Sequence, residues 1–154
     1  MAGFDVTDPG QLAQLVGTEF PASAWETVSQ DRINRFAELS GDHQWIHTDP
    51  VRAKSESPYG QTIAHGNLLL LIAAELSRPM LTYSYASRAV NYGFDTIRFL
   101  TPVPSGSRVR LTQVLKQSEP RADGSTRIVI AMSLELEGAE RPALVADSIR
   151  LIYP

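Results

Sequence analysis

The run of residues at positions 66–77 constrains the fold more than any other part of the chain. It reads Gly-Asn-Leu-Leu-Leu-Leu-Ile-Ala-Ala-Glu-Leu-Ser, and Pro79 follows closely. A helix that is apolar on all sides belongs in a protein core, where other elements must cover it. The run is too short to cross a bilayer, and it contains Glu75. We therefore predict a central buried helix that ends before Pro79.

The second half of the sequence carries the alternation of β-strands. Apolar residues at 128, 130, 132, 134 and 136 alternate with small or polar ones, as in a half-buried strand. Further strands are predicted at 145–153, 109–115 and 90–100, and Asp123-Gly124 is typical of a hairpin turn. Short turns between strands favour antiparallel pairing. Helices followed by strands predict an α+β fold, with the antiparallel sheet curled around the apolar helix.

The first half of the sequence predicts short helices. Asp8-Pro9 is a helix-start signal, with Asp8 as the N-cap, and Gly17 would end that helix. A short strand is expected at 25–28. Ser29 then caps a helix that closes at Gly41. Residues 44–61 are interpreted as a loop with room for one helical turn, because prolines and Gly60 interrupt them.

The composition fits one domain spanning 1–154, with residues 1–19 as a short N-terminal helical extension. The net charge of −3 and the scattered basic residues argue against nucleic acid as a partner. The absence of cysteine excludes disulfides, Cys-ligated metals and a thiol nucleophile. The first residues lack the basic and apolar regions of a signal peptide. We expect a cytoplasmic protein with no membrane partner.

Asp42 and His47 are the strongest candidates for chemistry. They follow the predicted helix end at Gly41, and Gly66 opens the apolar helix. Adding water to an α,β-unsaturated thioester needs a base, an acid and a donor to the thioester oxygen. Asp42 and His47 could hold one water between them, while the Gly66 N–H and the helix dipole meet the oxygen. No metal or redox cofactor is required.

Other interpretations remain open for each of these residues. Asp42 fits a turn after Gly41, and His65 fits a helix-start or packing residue. His43 and His47 have the spacing of two metal ligands on one helix, and Asp42, Asp49 or His65 could add a further ligand. Gly41 and Pro50 argue against a continuous helix there, so no metal site is predicted.

The motif around these residues resembles a known family. Positions 36–50 read Phe-Ala-Glu-Leu-Ser-Gly-Asp-His-Gln-Trp-Ile-His-Thr-Asp-Pro, and positions 63–66 read Ile-Ala-His-Gly. Together they resemble the hydratase motif of the MaoC-like dehydratases, which include the (R)-specific enoyl-CoA hydratases. The sequence Gln-Trp-Ile-His and the segments at 91–95 and 98–106 are similar to those of the nodulation-protein-N-like branch. The similarity covers roughly residues 20–153.

The resemblance implies a hot-dog fold, an antiparallel sheet wrapped around one long helix. It implies a homodimer that acts on enoyl-CoA or 3-hydroxyacyl-CoA, or on the corresponding acyl carrier protein thioester. It makes Asp42 and His47 the catalytic dyad and Gly66 the donor to the thioester carbonyl, with no cofactor and no metal. The further substrate-binding residues that it implies are Ala64, His65, Asn91, Tyr92 and Gly93.

Two other functions fit the same fold. An acyl-CoA thioesterase would use a carboxylate to activate water against the thioester carbon, and a binding module would hold acyl-CoA without turnover. Many family members carry Asn-Pro between the dyad residues, where this chain has Gln44-Trp45-Ile46. This departure leaves acyl-chain length open. Arg88, Arg98 and Arg108 are equal candidates for contacts to CoA phosphates.

Overall fold

A computed structural model describes residues 3–154. The chain alternates short strands and helices in its first half and forms long strands in its second half. In chain order the elements are β1 (Phe4–Val6), α1 (Gly10–Gln14), β2 (Glu19–Phe20), β3 (Glu26–Thr27), α2 (Gln30–Ser40), α3 (Trp45–Thr48), α4 (Pro50–Glu56), α5 (Gly66–Ser77), β4 (Leu81–Tyr83), β5 (Arg88–Phe99), β6 (Arg108–Pro120), β7 (Thr126–Leu136) and β8 (Leu144–Tyr153).

The main sheet is antiparallel and has the strand order β2-β6-β7-β8-β5, with β3 also paired to β6. The strand β5 does not pair with β6, which follows it in sequence. It pairs with β8 and forms one edge of the sheet. The strands β1 and β4 form a separate parallel pair. The predicted α+β class with an antiparallel sheet is confirmed.

The helix α5 packs against the sheet through one face. Leu68, Leu69, Ile72 and Ala73 are buried against core residues of β6, β7 and β8. The predicted bounds of this helix are confirmed. The expectation that it would be covered on all sides is wrong for a single chain, because Leu71 on the opposite face is 46% exposed. A sheet covers one side of a helix, so the other side of α5 remains open.

The structure confirms some of the helix ends predicted in the first half of the chain and contradicts others. Ser29 Oγ accepts a hydrogen bond from the Arg32 N–H at 3.2 Å, and Gly41 closes α2 with a positive φ of 75°, both as predicted. The first helix α1 starts at Gly10, and Asp8 is not its N-cap. The Asp8 carboxylate instead accepts from the Gly10 N–H at 2.8 Å, so it still orders the turn before the helix.

The segment 44–61 is more helical than its sequence indicated. It contains α3 and α4, joined at Asp49. The Asp49 carboxylate caps α4 by accepting from the Arg52 N–H at 2.9 Å, and Pro50 occupies the first turn. Proline at that position favours a helix start, since its missing N–H would have had no intrahelical partner. The sequence interpretation treated Pro50 only as an interruption.

The strand β8 turns an unexpected set of residues toward α5. Its prediction rested on the series 145, 147, 149, 151 and 153, yet the alternate series, Leu144, Ala146, Ser148, Arg150 and Ile152, is buried throughout. Leu144, Ala146 and Ile152 belong to the hydrophobic core against which α5 packs. Because neighbouring side chains point to opposite faces of a strand, this phase places Arg150 inside the protein.

No helix within residues 3–154 combines the length and the apolar character needed to span a membrane.

Replacing Leu68 by Ala should destabilise the protein by about 2–5 kcal/mol, because the side chain is 2% exposed and its removal leaves a cavity. Leu39→Ala is the matched control, since Leu39 is 82% exposed on α2 and its loss should change stability by less than about 0.5 kcal/mol. Chemical denaturation of both variants measures the difference. Equal effects would contradict the assignment of α5 as the core helix.

Candidate functional site

His47 lies in the last turn of the short helix α3 and is buried. Its Nδ1 is 2.7 Å from the carbonyl oxygen of Ile63. A carbonyl only accepts hydrogen bonds, so Nδ1 must carry the proton in the neutral ring. The Nε2 atom of the neutral ring therefore holds a lone pair and can accept a proton.

Asp42 is exposed and follows the left-handed turn at Gly41. Its Oδ1 accepts a hydrogen bond from the Gln44 N–H at 3.3 Å, and its own N–H donates to Ser40 Oγ at 3.3 Å. These local bonds fix the carboxylate at the start of the bend that leads to α3. One carboxylate oxygen of Asp42 and one ring nitrogen each of His47 and His65 lie within 4.8 Å of one another.

His65 joins the two predicted dyad residues. Its ring stacks on the His47 ring, with centroids 3.9 Å apart and planes at 25°. Its Nε2 donates to the main-chain carbonyl of Asp42 at 2.9 Å, which fixes the proton on that nitrogen. The buried Nδ1 has no hydrogen-bond partner within residues 3–154. The interpretation of His65 as a packing residue is thus incomplete, because its ring also anchors the main chain that carries Asp42.

The surroundings of His47 favour its neutral form. Burial lowers the pKa of His47 below its ordinary value, and the nearby His65 lowers it further. The hydrogen bond to Ile63 and the Asp42 carboxylate act in the opposite direction, but the net shift is downward. A histidine that stays neutral at pH 7 is ready to act as a base.

Gly66 is the first residue of α5, next to the histidine pair. The first N–H groups of a helix have no intrahelical acceptor, and the positive end of the helix dipole lies there. A side chain at this position would be crowded, because a Cβ atom would lie 3.1 Å from the Phe99 ring and the ring would have to shift. The preceding Ala64 is held by its N–H, which donates to the Val103 carbonyl at 2.8 Å.

Gln30 is a supporting residue that the sequence interpretation missed. Its Nε2 donates to the main-chain carbonyl of His47 at 2.7 Å, and its Oε1 accepts from the hydroxyl of Thr62. The Ile63 N–H in turn donates to the Ile46 carbonyl at 3.0 Å. The first residue of α2 therefore ties α3 to the segment before α5. Its place directly after the cap Ser29 gave no functional signal.

The structure does not bring every predicted site residue to this cluster. Phe99, not Asn91, Tyr92 or Gly93, is the β5 residue that contacts Gly66. Asn91 lines a cavity further along α5, beside Ala74. The roles of Asn91, Tyr92 and Gly93 stay predictions.

The arginines proposed for phosphate contacts are partly engaged elsewhere. Arg108 pairs with Glu137 at 2.9 Å, and the Arg88 guanidinium lies over the Tyr153 ring at 3.9 Å from its centroid. Arg98 donates to the neighbouring Ile97 carbonyl.

The cluster of Asp42, His47 and His65 has the donor types of a metal site. His43, which the sequence paired with His47, is not part of this group, and α3 begins only at Trp45, so no continuous helix aligns the two histidines. Two of its four ring nitrogens already contact main-chain carbonyls. The absence of a metal stays a prediction.

Comparisons with known proteins identify the family of this chain. Residues 11–135 match the family described as MaoC like domain. The chain is 43% identical to 3-hydroxyacyl-thioester dehydratase Z of Mycobacterium tuberculosis over 90% of this chain and 91% of that protein. It is 39% identical to nodulation protein N of Rhizobium meliloti over 91% and 88%.

An R-hydratase structure from Pseudomonas aeruginosa superposes with a TM-score of 0.74 at 20% identity, covering 90% of this chain and 81% of that one. The fold is therefore the hot-dog fold that the motif implied. The chain belongs to the MaoC-like domain family, and its relatives include nodulation protein N, as the wording of the motif suggested.

The burial of His47 generates a prediction for its titration. Its ring should titrate with a midpoint below about 6.5, the ordinary value for histidine. NMR of the ring protons measures this, and His47→Gln identifies the signal among the three histidines. A midpoint at or above the ordinary value would contradict the buried, neutral state described here.

Proposed function

We propose that this protein is an (R)-specific enoyl-thioester hydratase, which in reverse is a 3-hydroxyacyl-thioester dehydratase. The observation that carries the proposal is the convergence of Asp42, His47 and the free end of α5 at Gly66. A water-activating pair thus lies beside a donor for a thioester carbonyl. The similar proteins are named as a thioester dehydratase and an R-hydratase, and these names support the same reaction.

In the hydration direction, the water oxygen bonds to the β-carbon of the enoyl thioester. One water proton passes to the Asp42–His47 pair, where the His47 Nε2 lone pair can accept it. The pair then delivers a proton to the α-carbon, which restores its starting state. The water is consumed as hydroxyl and proton, and no cofactor enters the balance.

Negative charge develops on the thioester oxygen while the β-carbon is attacked. The N–H of Gly66 is our candidate donor to that oxygen, aided by the positive end of the α5 dipole. A single donor of this kind is worth about 3–4 kcal/mol of transition-state stabilisation. The Gly66 N–H would then matter about as much as the acid–base pair.

We further propose that the active form is a homodimer joined at β5. This strand is an edge of the sheet, paired only with β8 among the described strands. An exposed edge with apolar side chains is a template for pairing with another strand. The exposed large hydrophobic side chains of β5 are Val90, Tyr92, Phe94 and Phe99.

The central test uses Asp42→Asn and His47→Gln, which keep the shape of each side chain but remove its acid–base role. Each should lower kcat for crotonyl-CoA hydration by at least about a hundredfold while the protein stays folded. Loss of the conjugated absorbance measures the rate, and circular dichroism checks the fold. His43→Gln is the matched control, since His43 lies outside the cluster and should keep activity.

Three results would contradict the proposal. Wild-type turnover in both dyad variants would refute the catalytic role of Asp42 and His47. An (S)-3-hydroxyacyl product would contradict the proposed (R)-stereochemistry. Release of free CoA thiol would instead indicate thioester hydrolysis. A chelator should leave the activity unchanged.

The dimer proposal predicts that a charge on the β5 edge separates the subunits. Tyr92→Lys should raise the dissociation constant of the dimer at least about tenfold, because a lysine on an edge strand opposes pairing. Tyr59→Lys is the control, since Tyr59 is also exposed but follows α4. Sedimentation measures both variants. A fully active wild-type monomer would refute the interface.

A further inference from the structure

A buried arginine lies at the far end of α5 from Gly66. Arg150 is only 7% exposed, and no carboxylate of residues 3–154 lies within salt-bridge distance of it. An arginine remains charged at any physiological pH, and a buried charge without a partner is costly. Such a residue at a core position of β8 calls for a functional explanation.

Polar residues from two other elements hold Arg150 in place. Its Nη2 donates to the Ser77 hydroxyl at 2.7 Å, and that hydroxyl donates to Gln113 Oε1 at 2.6 Å. Ser77 ends α5 and Gln113 lies on β6, and both are fully buried. Three separate elements therefore contribute to a polar cluster inside an apolar core.

The cluster has an excess of hydrogen-bond donors. Arg150 Nε and the Tyr83 hydroxyl are fully buried, and neither forms a well-aligned hydrogen bond within residues 3–154, although the Arg150 guanidinium lies within hydrogen-bonding reach of the Tyr83 hydroxyl. Burial raises the pKa of Tyr83, and the nearby Arg150 charge only partly offsets this, so the phenol stays a donor at neutral pH. The guanidinium and the phenol offer donors but have no hydrogen-bond acceptor that serves both. An anion could supply that acceptor.

These donors border a cavity of about 410 Å³. Arg150 and Tyr83 form part of its wall, together with Ala74, Asn91 and Phe94, and Arg78 lies at the end of α5 beside it. None of its lining residues is acidic, so the cavity carries two positive charges and no negative one.

The cavity and the candidate catalytic cluster lie at opposite ends of α5. The strand β5 runs beside the open face of α5, since Phe99 contacts Gly66 and Phe94 shares the cavity with Ala74. Leu71 presents apolar surface on this face between the two ends. At 1.5 Å per residue, Gly66 and Ser77 are about 16 Å apart along the helix. An extended acyl chain with C–C bonds of about 1.5 Å spans that distance with roughly ten to fourteen carbons.

We propose that the open face of α5 carries an acyl chain from Gly66 to this cavity, and that the cavity selects acyl thioesters whose chain ends in a carboxylate, which Arg150 and Tyr83 bind. The inference rests on the proposed function, because it places the thioester carbonyl at Gly66. The carboxylate would neutralise the guanidinium, and rotation of the Arg150 and Tyr83 side chains toward the cavity would bring their buried, unpaired donors onto its oxygens. A plain alkyl end would leave the charge and the donors without partners.

Binding of unreactive saturated thioesters tests the site independently of turnover. Calorimetry would compare dodecanoyl-CoA with the mono-CoA thioester of dodecanedioic acid on the wild-type protein. The diacid thioester should bind at least about tenfold more tightly, the scale of one or two charged hydrogen bonds. Equal or tighter binding of the plain chain by the wild type would overturn the proposal.

Substitutions assign the preference to the cluster. Arg150→Met should abolish the preference while crotonyl-CoA, which is too short to reach the cavity, is still hydrated. Arg150→Lys should retain part of it. Arg35→Met, a change on an exposed α2 side chain, should leave the preference intact. If Arg150→Met does not fold, Tyr83→Phe provides the test. Loss of the Tyr83 hydroxyl donor should weaken the preference for the diacid thioester. An unchanged preference would count against the site.

The two proposals fail in different ways. Hydration of crotonyl-CoA without any preference for the diacid thioester would refute only the carboxylate site. A preference for the diacid thioester without hydration of any enoyl-CoA would refute the hydratase and leave the binding site in place.

Discussion

The burial of one face of α5 against the curved sheet is the constraint on which the rest of the structure depends. Leu68, Leu69 and Ile72 fix the helix against β6 and β7. Once this face is buried, the start of α5 must lie where the chain emerges from the segment 62–64, and its end must lie over β8. One helix thereby sets the positions of the candidate catalytic cluster and of the Arg150 cavity.

The candidate catalytic cluster is held to that helix mainly by hydrogen bonds to main-chain carbonyl groups. His47 contacts the Ile63 carbonyl, His65 contacts the Asp42 carbonyl, and Ala64 is paired with Val103. Gln30 connects α2 to the same group. Because each bond joins segments distant in sequence, no short peptide could reproduce the arrangement. The proton positions on both histidine rings follow from these carbonyl partners.

Much of the site could be predicted because its signals are local. Asp42 and His47 are close in sequence. Ser29 and Gly41 mark the two ends of the helix that precedes them. Phe99 and Gln30 gave no such signal, since their roles arise only when β5 and α2 pack beside the cluster. The helix α4 was missed because Pro50 breaks a helix in its interior but favours the first turn, and local sequence alone did not distinguish the two cases.

The sequence by itself determined the buried helix, the antiparallel strands and the motif that joins Asp42, His47 and Gly66. These depend on periodicity, turn residues and the order of a continuous motif. The tertiary structure alone decided that one face of α5 stays open and that Arg150 points inward. Apolar residues occupy both phases of β8 near its end, so alternation did not identify the core-facing set. Strand pairing and the position of α5 selected that phase, and with it the buried charge of Arg150 near the end of α5.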